Sequence, residues 1–235
     1  MNEYYLGLYK TSTTIVGQIT ALITAATTPI LFSSLSRLQS DEAEFKRMFF
    51  KFQRLVALLV IPIGVGIFCF SDLITTILLG NQWLEASGFV GLWGLTSAIT
   101  IVLSHYCSEV YRAKGKPKLS VLSQWLHMIV LFPVVFIAIK YGFEVLYISR
   151  SLVRLEGILV NLVILYVLIK ISPLTILRNI AIPCVASIIM AGISLILLNI
   201  KTSISWQILS ILICAISYIT IIISFATERP LLLSF

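Results

Sequence analysis

From Leu55 to Phe70 the chain reads LVALLVIPIGVGIFCF, a run with no charged side chain and no two-residue alternation. Few structures can accept such a run. A transmembrane helix needs about 20 mostly apolar residues to cross roughly 30 Å of hydrocarbon, whereas a barrel strand is about ten residues long and alternates. Seven stretches of helix length recur along the 235 residues, at 11–36, 52–71, 87–110, 119–140, 145–169, 179–198 and 205–225. They predict an all-α integral membrane protein with about seven transmembrane helices in a single domain over 1–235. Composition points the same way. Hydrophobic residues make up 59% of the chain and charged residues 11%, and mean hydropathy is +1.03. A soluble domain carries about 25% charged residues, so an ordinary soluble enzyme, a disordered chain, a collagen and a disulfide-stapled toxin are excluded.

The net charge is +7, from 17 Lys and Arg against 10 Asp and Glu. These cations fall between apolar runs, where they act as orientation signals rather than as a nucleic-acid footprint. Arg37, Lys46, Arg47, Lys51, Arg54, Arg112, Lys114, Lys116, Lys118, Lys170, Arg178 and Arg229 flank the spans on one side; Lys10, Lys140 and Lys201 flank them on the other. Twelve against three predicts an external N-terminus and a cytoplasmic C-terminus. The opening MNEYYLGLYK lacks the basic-then-apolar order of a signal peptide, so the expectation is an earlier helix that brings the chain across. Cys69, Cys107, Cys184 and Cys214 stand singly in apolar runs and read as small core residues. Pro29, Pro62, Pro133 and Pro183 lie within spans, where each frees a backbone carbonyl that a neighbour must satisfy. Trp83 reads as an interfacial anchor, and the seven spans show no internal repeat.

Three places concentrate polar groups. In the first span Thr13, Gly17, Thr20, Thr24 and Thr27 recur at helical spacing on one face, with Gln18 beside them. That stripe fits close helix packing through small residues or the wall of a water-filled cavity. In the fifth span, Arg150 lies about 30 Å from Lys170 along a helix, near the opposite interface, where it can snorkel. Arg154 and Glu156 lie deeper and on opposite sides, so each needs a partner from another helix, a cavity or a substrate. His105 and Glu109, four apart near the end of the third span, form either a structural pair, with Arg112 neutralising Glu109, or a proton-coupling site. The candidates are Arg154, Arg150, Gln18, Thr20, Thr24 and Thr27 for a substrate cavity, and Glu156, His105 and Glu109 for proton coupling. No enzyme motif, metal-ligand spacing or cofactor loop accompanies them, so no catalytic residue, metal or cofactor is expected.

The ordered pieces LGLY, PILFSSLSRLQ, DEAEFKRMFFKFQRL, IPIGVGIF, ILLGNQWLEAS and YRAKGKPKL resemble the C-terminal half of the Wzx-type polysaccharide and O-antigen flippases of the multidrug/oligosaccharidyl-lipid/polysaccharide exporter superfamily. Local patterns cover about residues 4–140; beyond that only hydropathy and helix count agree. The resemblance implies helices eight to fourteen of a two-bundle transporter that moves oligosaccharide on an undecaprenyl pyrophosphate carrier. Its implied partners are the lipid-linked oligosaccharide, the bilayer, and an N-terminal bundle supplied by a second chain or lost by truncation; nucleic acid is not among them. The other readings are a membrane-embedded polysaccharide polymerase or acyltransferase, and a fragment with no activity of its own.

Overall fold

The computed structural model describes residues 3–201 and 203–228. Their regular elements are helices: α1 Glu3–Arg37, α2 Glu42–Cys69, α3 Ser71–Leu79, α4 Ser87–Thr100, α5 Cys107–Ala113, α6 Lys118–Ala138, α7 Phe143–Ile169, α8 Pro173–Asn179, α9 Ala181–Ile200 and α10 Ile204–Glu228, with short 3-10 and π segments between some of them. Among the described residues, seven helical segments are long and apolar enough to cross a membrane, the third being the composite Asn81–Ala113. Arg229, among the cations used for orientation, lies outside the described residues.

Each expected span has its helix, but the boundaries differ where polar residues extend a helix beyond the hydrocarbon. Hydropathy begins the second span at 52, whereas α2 starts at Glu42. Asp41 caps it, its carboxylate accepting from the Ala43 and Glu44 amides at 3.1 and 3.0 Å. Phe45 and Phe49 then bury one face of this charged first section.

The third span sits at the centre, with 61% of its apolar window buried against 11% for the first and fourth. α2, α1 and α7 all pack on α4; α6 covers α7, α9 covers α2, and α10 covers α9. Small residues set the α2–α4 contact. A methyl group on Gly64 would overlap Ala98, and one on Gly94 would overlap Ile67, so both backbones approach as close as glycine permits. At one end Tyr5, Tyr9, Phe89, Phe143 and Tyr147 stack with centroids 5.1–6.1 Å apart and pin α1 and α7 to α4.

Proline has the predicted consequence at Pro62. Its ring removes the amide that would bond the Leu58 carbonyl, and the Tyr218 hydroxyl from α10 donates to that carbonyl at 2.8 Å. Pro183 differs: it lies in the first turn of α9, where the missing amide has no carbonyl to meet. All four cysteines are free, with Cys107 and Cys214 buried and Cys69 and Cys184 half-buried.

The glycine contact is testable. Gly64→Val or Gly94→Val is expected to cost about 1–3 kcal/mol through overpacking, read as a lower melting temperature in detergent. Gly17→Val is the control, because a Cβ there meets nothing within 4 Å. Equal melting of all three variants would contradict the proposed α2–α4 contact.

Candidate functional site

The third span is not one continuous α-helix. Ile101–His105 form a π turn between α4 and α5, the kind of widened turn that recurs at functional sites. In hydrocarbon its irregular backbone needs partners, and side chains from three other helices provide contacts around it. Gln53 from α2 donates to the Val102 carbonyl at 3.2 Å. Asn161 from α7 donates to Ser104 at 2.8 Å and accepts from the Tyr111 hydroxyl at 2.9 Å. From α1, Thr27 meets the Tyr106 hydroxyl at 2.7 Å, and Thr28 lies 3.4 Å from His105 Nε2. Gln53 is itself held by Asn179, to which Arg54 also donates.

Between this widened turn, α6 and α7 lies a cavity of about 420 Å³. Thr100, Ser104, His105, Ser108 and Tyr111 line it from the third span; Ser120, Ser123, Gln124 and His127 from α6; Arg150, Arg154, Gly157 and Asn161 from α7. Gly157 apart, every lining side chain carries a polar atom, in a chain that is 59% hydrophobic. The Ser120 hydroxyl is buried with no hydrogen-bond partner among the described residues. A second cavity, of about 470 Å³, lies between α2–α3 and α9–α10 and is lined almost wholly by apolar side chains such as Leu59, Ile63 and Ile211.

Arg154 and Arg150 both reach the polar cavity. The Arg154 guanidinium lies 3.9 Å from the Trp93 ring centre and donates to Ser97 at 2.6 Å; Arg150 lies 5.1 Å from the same ring. Among the described residues, no carboxylate forms an ion pair with either arginine. Two like charges one helical turn apart are thus held by an aromatic face and a hydroxyl, an arrangement suited to an anion. Glu156 leaves the helix on another side and meets His127 Nδ1 at 3.0 Å. His105 faces the cavity, whereas Glu109 is buried against Arg112 at 3.0 Å. The break at Tyr106 falls between them, and no hydrogen bond joins the two.

The α1 stripe lies elsewhere. Thr20, Thr24 and Thr27 donate back to the carbonyls of Val16, Thr20 and Ile23 at 3.0, 3.0 and 2.6 Å, and Gln18 is exposed. None of these four lines the cavity; α1 meets its neighbours mainly through Leu8, Ser12, Val16, Leu31 and Leu35. Sequence reasoning missed His127, Asn161, Ser97 and Gln53. Their one available signal was polarity inside an apolar run, which His127 and Asn161 display plainly.

Asn161→Leu removes the amide that holds both Ser104 and Tyr111. The expected loss is about 1–3 kcal/mol, because Ser104 loses its amide donor and the Tyr111 hydroxyl keeps only the Asn161 backbone carbonyl at 3.2 Å, with faster amide exchange at 101–106. Unchanged exchange there would show that α7 does not hold the π turn.

Residues 1–88 match the family described as polysaccharide biosynthesis protein. A protein of Klebsiella pneumoniae described as an uncharacterized membrane protein in the cps region is 25% identical over 136 residues, which is 58% of this chain and 28% of that relative. The chain therefore covers well under half of the relative's length. No solved structure matches. The first 88 residues are thus similar to the polysaccharide biosynthesis protein family, in a chain that has, among its described residues, seven helices of membrane-spanning length.

Proposed function

We propose that the chain forms one wall of a flippase that carries lipid-linked oligosaccharide, on an undecaprenyl pyrophosphate carrier, across the bacterial cytoplasmic membrane. The observation that carries this reading is the polar cavity with two arginines that no carboxylate among the described residues pairs with. A pyrophosphate needs such cations, and the planar guanidinium fork of Arg154 matches its oxygens. Sugars need hydroxyl and amide partners, which Ser123 and Gln124 from α6 supply in the same cavity. The carrier tail stays in the bilayer. The match to polysaccharide biosynthesis proteins supports the substrate class, and the chain acts by transport rather than catalysis. A second bundle, from the same protein or another chain, completes the cavity and rocks against this one to alternate access. The side of α1 that exposes Thr14 and Gln18 faces that partner.

In this proposal the N-terminus is external and the C-terminus cytoplasmic, following the bias of Lys and Arg. Gln82 and Lys116 are exposed at opposite ends of the third span. With the native cysteines replaced, Gln82→Cys is expected to react with an impermeant thiol reagent on intact cells, and Lys116→Cys only after permeabilisation. The reverse pattern would invert the topology.

Transport tests the anion contact. In cells where the complete transporter restores surface polysaccharide, Arg154→Ala should reduce transport per inserted molecule at least about 100-fold, as for loss of a charged pair worth roughly 3 kcal/mol. Arg154→Lys should recover part of it, since the point charge remains without the fork. Normal specific transport by Arg154→Ala would rule out the phosphate contact.

A further inference from the structure

The ion pairs Glu42–Lys46, Glu44–Arg47 and Glu109–Arg112 each lie within one helix. His127–Glu156 differs because it joins α6 to α7. Both side chains are about one-quarter exposed, at 26% and 27%, and the imidazole lines the polar cavity. The backbone makes room for the pair: a Cβ on Gly157 would stand 3.3 Å from His127 Nδ1, so glycine beside Glu156 lets the ring lie against α7. Among the described residues, α6 has few other polar ties to its neighbours. It is the outermost helix on this side, packing on α7 and touching α5, and its remaining surface exposes Trp125, Ile129, Phe132 and Phe136.

We infer that His127 and Glu156 form a proton-binding site in the cavity wall, and that its protonation sets how firmly α6 is tied to α7. With a neutral imidazole the contact is a hydrogen bond between Nδ1–H and the carboxylate. One added proton, taken up at Nε2 from cavity water, converts it to an imidazolium–carboxylate pair and adds an N–H donor that points away from Glu156. A further proton, on Glu156, leaves the imidazolium without its counter-charge and loosens the tie. The other titratable groups on this wall are His105 and Tyr111 from the third span and Arg150 and Arg154 from α7. Glu109 on α5 is held by Arg112. Lys118 and Lys140 mark the two ends of α6; Glu144 and Lys170, those of α7; and Arg178 lies on α8. The inference deepens the transport reading by adding control of cavity access, but its test needs no transport.

The chain contains two histidines, so each imidazole can be followed separately in the purified protein. With nitrogen-labelled histidine in detergent micelles, His105→Gln identifies the His127 signal. Between about pH 5 and pH 8, where imidazoles change charge, Glu156→Gln is expected to displace the His127 titration curve and leave that of His105 in place. Access is read in a background lacking the native cysteines, as the reaction rate of Ser123→Cys relative to Lys116→Cys, which cancels the thiol's own pH dependence. That ratio should change about fivefold across the range, as for gain or loss of one net hydrogen bond, and stay flat in His127→Gln and Glu156→Gln. A His127 curve indifferent to Glu156→Gln, or a ratio that varies equally in the parent and both variants, would overturn the inference. Loss of transport in Arg154→Ala with normal titration here would separate the two proposals.

Discussion

A peptide group in hydrocarbon has no water to bond, so any departure from the α-helix must be met by another part of the protein. The departures in this chain show how that requirement organises the bundle. Pro62 leaves the Leu58 carbonyl free, and Tyr218 reaches across from α10 to donate to it. The π turn at Ile101–His105 presents the Val102 carbonyl to Gln53 from α2, while Ser104 on the same turn is held by Asn161 from α7. Each contact is modest, about 1 kcal/mol net, but leaving the buried group unmet costs more. The irregular turn therefore fixes the lateral positions of α1, α2 and α7 around the third span.

The same turn positions the polar cavity. Widening the helix at 101–105 brings Ser104 and His105 to the wall shared with α6 and α7, while the break at Tyr106 leaves Glu109 buried beside Arg112. Small residues complete the arrangement. Gly64 and Gly94 let α2 and α4 approach closely, and Gly157 leaves space for the His127 ring. Charges then sort by partner: Glu156 takes His127, and the two arginines take Trp93 and Ser97, with no carboxylate paired to them among the described residues. An arginine deep in a bilayer costs about 3 kcal/mol on insertion scales, and the polar cavity offsets this by placing the guanidinium where water or an anion can reach it.

Much of this was legible from residues alone. The number and order of the spans follow from apolar runs, because insertion into lipid depends on the residues of each segment. The need of Arg154 and Glu156 for partners outside their own helix followed from their two-residue spacing. The neutralisation of Glu109 by Arg112 was readable too, since residues three apart share a helix face. The α1 stripe was less transparent. Threonines at helical spacing look the same whether they line a cavity, pack a helix or bond back to their own carbonyls, and Thr20 and Thr24 bond back to theirs.

The sequence by itself determined that this is an all-helical membrane bundle, which segments span it and which intramembrane charges need explaining. Local composition governs those properties. Tertiary structure decided who meets whom: His127 with Glu156, Ser97 with Arg154, Asn161 with Ser104 and Tyr111, and Gln53 with the π turn. The reason is physical. Lipid tails and neighbouring helices are equally apolar, so hydropathy cannot distinguish a surface facing lipid from one facing another helix. The lateral packing that joins distant residues is set by close backbone approach and by the demand of each buried polar group for a partner.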